Sequence, residues 1–271
     1  MTGSARRLTL TALAAALRAD QVDPTELLTD PRAGVRHLAQ RWVRRREHAR
    51  VEAERVAALF AREEAAWARG TAPVAGVDEV GRGPLAGPVV AAAVVFSEVR
   101  IIPGLKDSKK LKPGEREALY DQIVRAAAAL GIGIADVAEI DRHNILGATG
   151  LAWGRAIGSL PEPPGLVLLD GHLRAGIAIP QVTVVRGDAM CASIAAASIV
   201  AKVTRDRLMV ELDRRFPGYG FARHKGYATA DHLAALRRLG PTPEHRRAFL
   251  PSDLRQEPLL SLQDAGGRRR A

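Results

Sequence analysis

At 271 residues, 47% hydrophobic and 26% charged, the chain is long enough to bury a full core and to carry an appendage beside one large domain. No run approaches membrane-spanning length, and a formal net charge of +10 favours a polyanionic partner, nucleic acid before membrane. A single cysteine, Cys191, excludes an internal disulfide and any multi-cysteine zinc site.

Residues 1–70 carry the pattern of a helical module. Leucines at 10, 13 and 17 make a helical stripe, and Asp23-Pro24-Thr25-Glu26 supplies a capping acid, an N1 proline and a glutamate at N3. Asp30-Pro31 repeats that start, and Val35, Leu38, Trp42, Val56, Leu59 and Phe60 predict one long helix running to Arg69. Its basic middle, Arg44-Arg45-Arg46, suits a solvated face or a nucleic-acid contact. Arg6-Arg7 and the apolar run behind it imitate a secretion signal, but Arg18 and Asp20 occupy the place of a cleavage site, so a cytoplasmic location is expected.

Gly70-Thr71-Ala72-Pro73 reads as a linker, and the main domain, 71–254, begins with Val74 to Val77, a buried strand ending on Asp78 and Glu79. The turn Gly81-Arg82-Gly83 follows, then a second apolar run from Gly87 to Phe96. Only six lysines occur in this arginine-rich chain, and four of them lie in the loop Leu105 to Lys112, where compact ammoniums could follow a phosphate backbone. Pro113 to Leu130 is expected as a helix stopped by Gly131, Ile132 to Val137 as a strand, and Glu139 to Ile157 as a helix. Two short strands then end alike: Leu166 to Leu169 runs into Asp170-Gly171, and Val182 to Val185 into Arg186-Gly187-Asp188. A single aspartate in such a place is usually a turn former, but three strand ends delivering acids make coincidence a poor account. A helix is expected over Met190 to Arg215, followed by Arg223-His224-Lys225-Gly226-Tyr227, where cations flank a ring suited to stacking on a sugar or base. His224 reads equally as a phosphate contact or a structural residue. Ala230 to Leu239 closes as a helix, and 255–271 reads as a basic, disordered tail with no evident sliding-clamp peptide.

Asp78, Glu79, Asp170 and Asp188 can meet at one sheet edge. Carboxylates without histidine or cysteine favour hard cations, Mg2+ or Mn2+, and two such ions suit in-line phosphodiester chemistry. Neighbours on a strand face opposite ways, so both Asp78 and Glu79 can serve only if the pleat breaks at Glu79. The Gly81 to Gly83 turn is neither a Walker loop nor a dinucleotide fingerprint, but its main chain could hydrogen-bond a 2′-hydroxyl.

The run Val74 to Val95, the Asp107-Ser108-Lys109 loop, Leu169-Asp170-Gly171, Gly187-Asp188, Ala196 to Asp206 and His224-Lys225-Gly226-Tyr227 together resemble bacterial type 2 ribonuclease H (ribonuclease HII) over roughly residues 73 to 250. Residues 1–70 resemble the helical extension of some bacterial members, a possible substrate-binding module. The resemblance implies an α/β, ribonuclease H-like mixed β-sheet flanked by helices, with the N-terminal helical extension and C-terminal helices. It implies a monomeric, metal-dependent endonuclease that cuts 5′ to ribonucleotides in RNA–DNA hybrids and at single ribonucleotides in duplex DNA. The metal ligands would be Asp78, Glu79, Asp170 and Asp188. Substrate contacts would come from Gly81, Arg82 and Gly83 at the 2′-hydroxyl, from Ser108, Lys109 and Lys225, and from Tyr227 at the junction deoxyribose. One departure is Ala248 in His245-Arg246-Arg247-Ala248-Phe249, where members often have serine. A silent hybrid-binding protein would not need the full acid set, and a junction resolvase would lack the 2′-hydroxyl reader.

Overall fold

The helical stripes near the N-terminus become α1 (Leu10–Arg18) and α2 (Ala33–Ala58) in a computed structural model that describes residues 8–255. Thr9 caps α1 through its hydroxyl, and Asp23 caps a short 3-10 turn, Pro24–Leu27. Leu13, Leu17, Leu27, Val35, Leu38 and Ala39 close a small core of their own. The chain divides into two compact units, 1–59 with 100–104 and 60–99 with 105–271. In the first, Glu52 accepts the Gly104 N–H at 2.8 Å, which holds the 100–104 segment.

The single long helix expected from Asp30-Pro31 to Arg69 is two helices. Asp30 spends its carboxylate on Arg32, accepting the main-chain N–H at 2.9 Å, so α2 starts only at Ala33. Phe60 leaves helical geometry (φ −83°, ψ 0°), and α3 (Ala61–Trp67) follows. The break lets the Phe60 ring bury completely, edge-on to Phe96 with centroids 5.4 Å apart, and ring burial outweighs one turn of helix continuity.

The second unit is built on a mixed sheet of β1 (Val74–Val80), β2 (Val89–Val95), β3 (Ala129–Ala135), β4 (Leu166–Asp170) and β5 (Gln181–Val184). The order is β3-β2-β1-β4-β5, with β1–β2 and β2–β3 antiparallel and β1–β4 and β4–β5 parallel. β2 is buried along its whole length, as its unbroken apolar run requires. α4 (Pro113–Ala126) precedes β3, while α5 (Val137–Gly158) and α6 (Ala192–Arg215) cover opposite faces of the sheet. Ala75 and Val77 face the core under α5. Val74 joins a second cluster with Ile194 of α6. Short α7 (Phe221–His224) and α8 (Ala230–Leu239) fold against the back of α6 over Leu85, Met209, Leu212, Phe221 and Leu236.

Two boundaries differ from the sequence pattern, and one helix is kinked. α4 stops at Ala126, so Leu130 and Gly131 belong to β3 rather than to a helix and its stop. Gly131 is there for close approach: a Cβ would lie 2.0 Å from the Ala156 carbonyl of α5. Val137 opens α5 instead of ending a strand, because Asp136 and Glu139 form a reciprocal capping box. Asn144 kinks α5 with φ 57°, its side-chain oxygen accepting the Leu146 N–H at 2.9 Å. The basic tail lies outside the described residues apart from Arg255. Among the described residues no helix is long and apolar enough to cross a membrane.

Candidate metal and nucleic-acid site

β1 delivers Asp78 and Glu79 at its carboxyl end, β4 delivers Asp170, and the turn after β5 delivers Asp188. One carboxylate oxygen each from Asp78, Asp170 and Asp188 lie within 4.8 Å of one another. The pleat of β1 does not break: register with β2 runs on through Asp78↔Ala92, Glu79↔Ala91 and Val80↔Val90. Asp78 therefore shares the α6 side with Ser198, whereas Glu79 turns to the α5 side, outside the three-aspartate group. There its Oε2 accepts the Trp153 indole N–H at 3.0 Å and its Oε1 the Arg82 guanidinium at 3.2 Å.

The electrostatics of the group favour a cation. Burial holds Asp78 well above the usual carboxylate range, and the charges of Glu79 and Asp170 push it further. Burial raises Glu79 too, against the opposing pull of Arg82. Asp188 is raised by burial, then by Asp107 and Asp170, with Lys109 opposing. The Lys109 ammonium sits 3.8 Å from Asp188; burial works to lower its pKa, but Asp188, Asp78, Asp107 and Asp170 outweigh it. Clustered like charges, all oxygen donors and mostly buried, fit a hard divalent ion.

The substrate residues expected from sequence fall into two groups. Gly83, at the end of the Gly81-Arg82-Gly83 turn, lies close to Tyr227: a Cβ on Gly83 would lie 3.9 Å from a Tyr227 ring carbon, and Tyr227 is 43% exposed. Lys225 is half-buried, donating to the Asp206 carbonyl at 3.3 Å, and burial depresses its pKa. Ser108 is buried, its hydroxyl 2.8 Å from that of Ser198, whose side chain lies by Asp78 and works to lower its pKa. The alternatives for His224 resolve towards structure: its Nε2–H donates to the Tyr219 carbonyl at 2.8 Å and its Nδ1 accepts the Gly226 N–H at 3.2 Å.

Sequence reasoning left Trp153, Ser198 and Asp107 without a place at the site. Asp107 and Ser198 lie inside runs that carry the family resemblance but were given no role of their own there. Trp153 has no motif signal and is located only by how α5 packs over the sheet edge.

Residues 75–251 match the ribonuclease HII family, and residues 11–67 match the ribonuclease HII N-terminal domain. The chain belongs to the ribonuclease HII family. A ribonuclease HII of Geobacillus thermodenitrificans is 51% identical over 225 residues, 83% of this chain and 86% of that protein. One of Geobacter metallireducens is 57% identical over 176 residues, 65% of this chain and 83% of that protein. Among solved structures, the ribonuclease H2 of Pyrococcus horikoshii superposes with a TM-score of 0.56 at 29% identity, covering 65% of this chain and 93% of its own. The ribonuclease HII of Archaeoglobus fulgidus, solved in complex with PCNA, also gives 0.56, at 27% identity, covering 69% of this chain and 98% of its own. Membership of the ribonuclease HII family makes the chain a ribonuclease H, a divalent-metal-dependent endonuclease of RNA–DNA hybrids. The mixed sheet with helices on both faces is the ribonuclease H-like fold expected from sequence.

Proposed function

We propose that this enzyme hydrolyses the phosphodiester 5′ to a ribonucleotide, in hybrids and at single ribonucleotides embedded in duplex DNA, leaving 3′-hydroxyl and 5′-phosphate ends. The observation that carries the reading is the convergence of Asp78, Asp170 and Asp188 within 4.8 Å, beside a glycine turn that lies close to an exposed tyrosine. Asp78, Asp170 and Asp188, with Glu79 alongside, would hold two Mg2+ or Mn2+ ions. When bound, such ions supply an activated water and charge stabilisation for the leaving 3′-oxygen.

The protein's own groups do the rest. Lys109 offsets part of the acid charge and offers a cation to the phosphate beside Asp188. Main-chain groups of Gly81, Arg82 and Gly83 meet the 2′-hydroxyl, a contact that deoxyribose cannot return. Tyr227 stacks on the neighbouring deoxyribose, which places the DNA side of a junction. Trp153 and Arg82 fix the Glu79 carboxylate, so that its orientation is set before substrate arrives. Ser108 serves through Ser198 on Asp78, and Lys225, two residues before Tyr227, would supply a cation to a phosphate. The module at 1–70 adds duplex contacts through its basic helix.

Asp188→Asn tests the assignment. Cleavage of a hybrid should disappear while binding to the same hybrid, followed by anisotropy in EDTA, stays near wild type. Near-normal turnover would remove Asp188 from the site.

A further inference from the structure

Two arginines with fully buried side chains, Arg205 of α6 and Arg246, converge on the segment 81–88. Every acceptor they use there is a main-chain carbonyl. Arg246 donates to Gly81 at 2.5 Å, to Arg82 at 3.0 Å, and twice to Gly87 at 2.9 and 2.6 Å. Arg205 donates to Ala86 at 3.1 Å, to Pro88 at 2.9 Å and to Lys225 at 3.0 Å. Only the planar five-donor fork of arginine can satisfy so many carbonyls from one point.

The same region is laced together by its backbone. The Leu85 N–H donates to Gly226, the Arg246 N–H to Leu85 and the Gly87 N–H to Glu244, each at 2.8 Å. Gly81, at φ 97°, leaves no room for a side chain, because a Cβ would lie 2.3 Å from the Arg205 Nε. Burying two guanidiniums is expensive, and burial drags Arg205 to about 10 and Arg246 to about 9. Neutral carbonyls are poor compensation for that cost, so fold stability alone is a weak reason for the arrangement.

Peptide geometry supplies a better one. In a planar trans peptide the N–H points opposite to the C=O. Holding the Gly81 and Arg82 carbonyls inward on Arg246 turns the N–H groups of Arg82 and Gly83 outward, at two exposed residues. A cation on the carbonyl also polarises the amide and strengthens its N–H as a donor.

We infer that Arg205 and Arg246 are positioning residues that lock the main chain of 81–88 to that of 225–226 and aim two peptide N–H donors at the ribose 2′-hydroxyl. The inference rests on the reading of Gly81 to Gly83 as the 2′-hydroxyl contact. Arg246 does the aiming, and Arg205 fixes the distance to the loop that carries Tyr227.

The test uses the full-length chain with Arg246→Lys, which keeps a positive charge but cannot span three carbonyls. Hydrogen exchange without metal should rise at least about tenfold in peptides covering 81–88 and stay unchanged in α5, as expected for a local opening. The single-turnover rate on a duplex with one embedded ribonucleotide should fall on the order of 10²-fold, while duplex affinity in EDTA moves by no more than about threefold. Wild-type exchange and rate in this variant would overturn the inference. So would exchange that rises equally in α5, which would make the arginine a general stabiliser. If Arg246→Lys does not fold, Arg205→Lys is measured in the same way, with the rise expected in both 81–88 and 224–228. The underlying reading fails separately: wild-type enzyme would then cut an all-DNA duplex as fast as one carrying a ribonucleotide.

Discussion

Glu63 should be the most stability-sensitive acid outside the site. It lies on α3, is 1% exposed, and its Oε1 accepts both the Ser193 main-chain N–H at 2.9 Å and the Ser193 hydroxyl at 2.6 Å. Ser193 is the second residue of α6, whose N-cap, Cys191, makes no side-chain cap bond, so α3 supplies the cap that α6 lacks. Two hydrogen bonds to a charged acceptor are worth about 1.5–3 kcal/mol each. Against them stands Oε2, buried with no hydrogen-bond partner among the described residues, whose removal returns about 1–3 kcal/mol. Glu63→Ala should therefore destabilise by about 3 kcal/mol, a fall in Tm of roughly 6–12 °C for a domain of this size. Glu63→Gln keeps one acceptor oxygen for Ser193 but loses the charge and puts an amide NH2 in place of Oε2, so about 1–2 kcal/mol is expected. Urea unfolding followed by far-UV circular dichroism measures both. Cleavage should fall with the alanine variant, because the start of α6 follows closely on Asp188. An alanine variant within about 0.5 kcal/mol of wild type, the range of an ordinary surface change, would refute the capping role.

Three further outcomes are expected. Asp78→Asn should abolish cleavage yet stabilise the metal-free protein by about 1 kcal/mol or more at neutral pH, since a buried charge held among like charges is removed; thermal melts in EDTA check this. Divalent metal should then raise the Tm of wild type and leave the variant unmoved. Tyr227→Ala should change stability by no more than about 0.5 kcal/mol, the ring being half-exposed, while cutting at a single ribonucleotide falls well below wild type; equal activity would make the ring mere packing. His245 provides a pH signature. Burial, then the neighbouring His232, lowers it from 6.5 to about 4, so the unfolded chain takes up its proton first as pH falls. Its contribution is complete above pH ~6.5 and is lost between there and pH ~4, at most about 3 kcal/mol. Urea midpoints for His245→Gln should fall less steeply over that window than those of wild type, and parallel slopes would contradict the assignment.

What was legible in the sequence was what depends on local pattern. Asp78, Asp170 and Asp188 each follow a short apolar run, and strand ends are readable from such runs without knowing the sheet order. The fold and the family followed from those motifs taken in order. Less legible was anything decided by packing between distant segments. Gly131 looked like a helix stop because glycine often is one, but α5 presses on β3 there and leaves no room for a Cβ. The helix break at Phe60 depends on Phe96, thirty-six positions away, whose ring it buries against. The break in the pleat expected at Glu79 does not occur: β1 stays regular, and Trp153 and Arg82 orient the Glu79 carboxylate beside the three aspartates. Arg205 and Arg246 lie in segments that the family resemblance singles out, but their burial was not legible, because burial is a property of the fold and not of the residue type. The cap at Asp23 was readable because its partner lies two residues on, whereas Glu63 caps a helix far along the chain.

The most direct measurement is strand nicking on a DNA duplex with one embedded ribonucleotide, beside an all-DNA duplex, with Mg2+ or Mn2+ and an EDTA control. A single metal-dependent cut on the 5′ side of the ribonucleotide, with the all-DNA duplex intact, is the predicted result. Cutting of long hybrids with no cut at the single ribonucleotide would keep the acid site and contradict the assignment of Gly81 to Gly83 and Tyr227 as the reader of that junction.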